Sequence, residues 1–133
     1  MEHNWRITRV VQEFIESNGI KASIDIDEDD DSSFTIFSTG SEVGSLRTVI
    51  SIDEDSGYFM MYVIYTADVV PNKAMTESLR YINHANLYTK IGAFHIFKLD
   101  DHSYLRHYQG LLGDDMEIDP DLIYNMLLES VDA

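Results

Sequence analysis

Apolar residues in this chain recur first at three- and four-residue spacing and then at alternate positions, so a helix gives way to strands. Ile7, Val10, Val11, Phe14 and Ile15 place an apolar stripe on a helix that Asn18-Gly19 closes with a glycine cap. Ile20, Ala22, Ile24 and Ile26 then alternate with polar residues, which predicts a strand, and the acidic turn from Asp27 to Ser33 leads to a second strand from Phe34 to Ser38. Leu46, Thr48, Ile50 and Ile52 alternate through a third, and Glu54-Asp55-Ser56-Gly57 turns the chain into a fourth. The four sequential strands make a meander.

The fourth strand abandons the alternation. From Tyr58 to Tyr65 the chain reads Tyr58, Phe59, Met60, Met61, Tyr62, Val63, Ile64, Tyr65, with apolar or aromatic side chains on both faces. An antiparallel strand with one wet face alternates apolar and polar residues, because successive side chains point to opposite sides of the sheet. One face of this strand fits under the chain's own helices. The other needs a cover, and a partner subunit or bound polypeptide is the simplest one. Tyr58, Met60, Tyr62 and Ile64 are accordingly the candidate partner-binding residues.

Pro71-Asn72 ends the meander, with Asn72 placed to cap a helix whose face is tracked by Met75, Leu79, Ile82 and Asn86. A second hairpin follows, with strands from about Ile91 to Leu99 and from Ser103 to Tyr108 joined by Asp100-Asp101-His102. In its first strand Phe94 and Ile96 are expected on the helix-covered face and His95 on the other, although Phe97 and Leu99 argue for the opposite assignment. The last helix starts with Asp119 as N-cap and Pro120 in the first position, and Ile118 is placed to staple onto Ile123. Leu122, Ile123, Met126, Leu127 and Val131 form its buried face. No Pro-, Gly- or Ser-rich linker and no repeat interrupts the 133 residues. The prediction is a single α+β domain over residues 1–133, an antiparallel sheet packed with helices in the order α-β-β-β-β-α-β-β-α.

Charge narrows the partners. Twenty-four Asp and Glu against nine Lys and Arg (24 and 9) give a net charge of −15. Nucleic acid binding depends chiefly on cations neutralising phosphates, so neither DNA nor RNA is an expected partner, and anionic membranes are disfavoured on the same ground. Such acidity favours solubility or steers a basic partner. With no cysteine, a disulfide framework and a thiolate metal site are both excluded. The first twenty residues lack the apolar run of ~7–15 residues of a signal peptide, and no segment approaches the ~20 apolar residues of a membrane span. A cytoplasmic protein is expected.

Candidate chemistry is sparse. Asp25, Asp27, Glu28, Asp29, Asp30 and Asp31 begin like a calcium loop, but counting from Asp25 the turn glycine is replaced by Asp30 and the closing glutamate by Ile36. A solvated turn is the better reading. A three-residue turn in the second hairpin would set His95 opposite His107 on one sheet face, two imidazoles of a metal or small-molecule site that lacks further ligands. The run Gly40-Ser41-Glu42-Val43-Gly44-Ser45 has the glycines of a phosphate loop without the following Lys or a helix N-terminus, and reads as a turn between strands. No nucleophile elbow is present, so no catalytic residue and no cofactor is expected. Eight tyrosines and Trp5 suit core and interface packing, since the charge removes the attraction that accompanies base-stacking platforms.

The helix end Leu79-Arg80-Tyr81-Ile82-Asn83-His84-Ala85-Asn86, followed by Ile91-Gly92-Ala93-Phe94 and a polar-turn hairpin carrying Leu105-Arg106, resembles the YbjN family of bacterial proteins. These are usually labelled sensory transduction regulators. The resemblance implies a fold similar to that of type III secretion chaperones: small, acidic, α+β, commonly dimeric and engaging other polypeptides. The family has no established catalytic residues, so what is implied is a non-enzymatic regulator or chaperone-like factor that binds a protein partner, as a homodimer. Asn83, Asn86, Gly92 and Phe94 match the family pattern, and structural roles are expected of them: the asparagines close the helix, and Gly92 permits close approach of backbones. The alternative is a small-molecule or metal sensor using the sheet face near His95 and His107.

Overall fold

Helix α1 (Arg6–Ser17) buries Ile7, Val11, Phe14 and Ile15 along the expected stripe. It stops where Gly19 takes a φ of 62°, a left-handed conformation glycine adopts without steric cost, so that the Ile20 N–H reaches back to the Ile15 carbonyl at 3.0 Å. The computed structural model describes residues 5–41, 44–88, 92–99, 101–112 and 120–132. Strands β1 (Ala22–Asp27), β2 (Ser32–Ser41), β3 (Gly44–Asp53) and β4 (Tyr58–Val70) form the predicted meander. Helix α2 (Met75–Tyr88), the hairpin β5 (Ala93–Leu99) and β6 (His102–Leu112), and helix α3 (Pro120–Asp132) complete the chain. The six strands are ordered β1-β2-β3-β4-β6-β5 and every neighbouring pair is antiparallel.

Several boundaries move. β2 begins at Ser32, not Phe34, because Asp27 turns the chain tightly, its Oδ1 accepting the N–H groups of Asp29 at 3.0 Å and Asp30 at 3.3 Å. Ser41 pairs with Gly44, so only positions 42 and 43, outside the described residues, connect β2 to β3. Asn72 does not cap α2. It opens a single 3₁₀ turn, Asn72–Ala74, that feeds the helix. Ile91, Ile118 and Asp119, with the staple and cap expected of the last two, lie outside the described residues, as does the side chain of Val131.

In antiparallel pairs, opposite residues share a face. The register therefore collects Phe37, Leu46, Ile50, Ile52, Phe59, Met61 and Val63 on one side of the sheet, where they form the core with the α1 stripe and with Ile123 and Met126 of α3. The buried Gln109 of β6 ties the layers together by donating to the Met126 carbonyl at 2.6 Å. Helix α2 lies on the same side, its Ser78 and Ile82 bordering a groove of about 400 Å³ with Val70, Leu105 and Ala74 of the 3₁₀ turn. Leu79, expected on the buried stripe of α2, is 51% exposed.

The N-terminus of α1 is satisfied from the β3–β4 turn. Glu54 Oε1 accepts the Thr8 N–H at 2.7 Å and the Thr8 hydroxyl at 2.9 Å, and its Oε2 accepts the Ile7 N–H at 3.3 Å. A carboxylate there also complements the positive end of the helix dipole.

Candidate partner-binding surface

All three helices sit on one side of the sheet, and the other side has no helix over it among the described residues. Successive side chains of a strand alternate, so the core residues Phe59, Met61 and Val63 of β4 leave Tyr58, Met60, Tyr62 and Ile64 on this open face. Tyr58 is exposed, Met60 and Tyr62 are half-buried, and Ile64 is buried. The register extends the surface to residues the sequence did not single out. Val49 pairs with Ile36 on one side and Tyr62 on the other, and Phe34 belongs to the next row. Phe34 and Ile36 are 47% and 40% exposed, large apolar side chains turned to solvent from a strand that is paired on both sides.

On β6 the same face carries Tyr104, Arg106 and Tyr108, and on β5 His95 and Phe97. Arg106 is wedged between aromatic rings, its guanidinium carbon 4.4 Å from the Tyr62 centroid and 4.2 Å from that of Phe97. Its Nε donates to His95 Nε2, which requires a neutral imidazole at that nitrogen. Burial, and then the Arg106 charge, lower the His95 pKa from its ordinary 6.5. Arg106 is itself lowered by burial, partly offset by Tyr62 and Tyr108. Tyr108 in turn packs on His95 at 4.8 Å and on Tyr62 at 6.4 Å between ring centroids.

The expected pairing of His95 with His107 is corrected. Leu99 pairs with His102, so two residues make the β5–β6 turn instead of three, with Asp101 left-handed at φ 67°. His95 therefore opposes Arg106, and His107 opposes Phe94 on the helix-covered face. One residue of register moves a side chain to the other side of the sheet. His107 is fully buried, with its ring 4.9 Å from that of Phe94, so the two histidines form no common site. Among the described residues no group of three His, Asp or Glu is gathered to hold a metal ion, and no helix is long and apolar enough to cross a membrane.

Of the residues matching the family pattern, Asn86, Gly92 and Phe94 have structural partners. Asn86 does not close the helix as expected. Its side chain docks on the edge of β5, accepting the Phe94 N–H at 2.7 Å and donating to the Phe94 carbonyl at 2.9 Å. Gly92, at φ 71°, lies where a Cβ would run into the Tyr108 carbonyl oxygen and come within 2.9 Å of the His107 ring, the close approach expected of it. Phe94 is half-buried on the helix side and Asn83 is exposed.

No sequence family matches the chain, and no curated protein matches it. A solved structure, the crystal structure of the ExsC-ExsE complex, contains a similar chain: TM-score 0.60 at 14% identity, with 99% of this chain and 90% of that one covered. At this identity the likeness shows the fold alone, the α+β arrangement of six antiparallel strands with helices on one side.

Proposed function

We propose that this protein is a non-enzymatic, chaperone-like domain that holds a polypeptide partner on the open face of its sheet. The observation that carries the reading is the exposure of Phe34, Ile36 and Tyr58, each at least 40%, on a face that continues through Met60 and Tyr62 to the aromatic cluster around Arg106. A contiguous apolar surface of this kind on an otherwise acidic chain is how interaction sites differ from ordinary surface. The similar chain was solved in complex with another protein, which supports the same reading. The residue pattern from Leu79 to Arg106 supports placing the domain with the YbjN-type regulators, acting by binding. Self-association as a homodimer is assigned to α2, whose Leu79, Tyr81 and Leu87 are 51%, 71% and 75% exposed.

A photo-crosslinking amino acid at position 34 or 58, with position 13 on the exposed side of α1 as control, tests the reading in lysate of the native host. Partner adducts are expected from 34 and 58 and not from 13. Equal labelling from all three positions would defeat the assignment of the face. Sedimentation equilibrium of the wild type and of Leu87→Glu tests the dimer, which the substitution should dissociate.

A further inference from the structure

One row of the open face has a charge opposite to that of the chain, while Asp25, Asp27 and Asp53 share the face two and three rows away. Its register sets Arg47, Ile64, Arg106 and His95 in one cross-strand row over β3, β4, β6 and β5. Two of the chain's nine Lys and Arg thus occupy a single row, with no Asp or Glu in that row or in the one beside it. Ile64, only 4% exposed, lies between the two arginines, whose aliphatic stems are placed to shield it. Arg106 is the more constrained of the pair. Held between Tyr62 and Phe97 with Nε committed to His95, it has no carboxylate partner among the described residues, although carboxylates outnumber cations 24 to 9 in the sequence. Its terminal nitrogens remain to donate.

A partly desolvated guanidinium whose plane is fixed by aromatic stacking is pre-organised to bind a carboxylate through two parallel hydrogen bonds. We infer that Arg106, seconded by Arg47, is the anchor for a carboxylate in the bound segment, so that the partner presents Asp or Glu flanked by apolar side chains. This deepens, and rests on, the assignment of the open face as the polypeptide-binding surface. A second copy of the chain fits less well as the occupant, because each of the two bodies carries −15 and each open face brings Asp25, Asp27 and Asp53 into the contact.

The test uses a displayed library of random dodecapeptides selected on the full chain, with isolated binders measured on wild type, Arg106→Gln, the surface variant Arg47→Gln and Tyr62→Lys. The expected binders carry an acidic residue between apolar ones, and changing it to the amide weakens wild-type binding about tenfold, the size of one charge-assisted hydrogen bond. The same change has little effect on Arg106→Gln, and rising salt weakens the acidic peptide more than its amide twin. Should Arg106→Gln prove unfolded by circular dichroism, Arg47→Gln carries the test through a smaller loss of the same discrimination. Binders that need Tyr62 but bind equally as acid and amide would overturn the anchor and leave the docking face standing. A complete lack of binders sensitive to Tyr62→Lys would overturn both. Sedimentation showing a dimer that Tyr62→Lys dissociates would make the occupant a second copy and also overturn the inference.

Discussion

Replacing Glu54 by Ala should destabilise the protein far more than its position in a surface turn suggests. The carboxylate accepts two backbone N–H groups of the first turn of α1 and the Thr8 hydroxyl, 46 positions away in sequence from Thr8. Trp5, at the N-cap position, makes no capping hydrogen bond with its own side chain, so Glu54 supplies the cap from a distance. Thr8 is 1% exposed, and its N–H cannot readily exchange Glu54 for water. The hydroxyl keeps Ser33 Oγ at 2.8 Å, which limits the damage to the backbone donors and the helix dipole. Loss of an N-cap costs about 0.5–2 kcal/mol and a hydrogen bond to a charged group about 1.5–3 kcal/mol. The expectation for Glu54→Ala is thus a loss of about 2–3 kcal/mol, a large share of the roughly 5–15 kcal/mol of a whole domain. Glu54→Gln, which keeps an acceptor but loses the charge, should lose about half as much. Urea denaturation followed by far-ultraviolet circular dichroism measures both, with the exposed neighbour Asp55→Ala as reference. If Glu54→Ala and Asp55→Ala lose equal stability, the long-range cap contributes nothing and the reasoning fails.

Gly92→Ala should cost more than about 2 kcal/mol in the same assay, since a left-handed φ is unfavourable for any Cβ and this one meets the Tyr108 carbonyl as well; a neutral outcome would mean the β5–β6 packing yields freely. Thr48→Val should stabilise by about 1 kcal/mol, because the Thr48 hydroxyl is buried without a hydrogen-bond partner, and a loss of stability would reveal a partner for it. His95, with its pKa below 6.5 in the folded state, binds its proton more readily when unfolded. Its contribution to stability is therefore complete above pH 6.5 and is lost as pH falls below that value. Nuclear magnetic resonance titration should place the His95 midpoint below 6.5 and move it upward in Arg106→Gln; a midpoint at or above 6.5 in the wild type contradicts the neutral imidazole facing Arg106.

The elements were legible because their periods are intrinsic to the chain. Three- and four-residue spacing marked α1, alternation marked β1 and β3, and the doubled apolarity of Tyr58 to Tyr65 pointed to a sheet whose far side is not wet polar surface. The pairing of the second hairpin was not legible, because Asp100-Asp101-His102 supports either two or three turn residues and the difference exchanges the faces. That single ambiguity produced the false neighbourhood of His95 and His107. The wider open face was hidden for another reason. In β2 the inward positions include Ser33 and Thr35, both buried, while Phe34 and Ile36 point outward, an inversion of the usual pattern that reads from sequence as an ordinary strand. Glu54 was equally out of reach, since it sits in a turn rich in acidic residues and nothing local distinguishes it as the cap of a distant helix.

The two ways a polypeptide can join a sheet, along an edge or across a face, are not equally available here. At the β5 edge, Asn86 occupies both the N–H and the carbonyl of Phe94, so an incoming strand finds that ladder position already filled. At the other edge β1 carries Asp25 and Asp27, and charged side chains on an edge strand oppose pairing with a further chain. Asp25 and Asp27 share the open face with Asp53, but the row of Arg47, Ile64 and Arg106 and the rows beside it hold no carboxylate. There the aromatic residues Tyr62 and Phe97 are joined by the Arg106 cation. Meanwhile mutual repulsion between the acidic surfaces limits indiscriminate association through an exposed apolar surface. Blocked edges and an open face with a carboxylate-free stretch around Arg106 together favour a partner that lies across the sheet through its side chains over one that extends the sheet through its backbone.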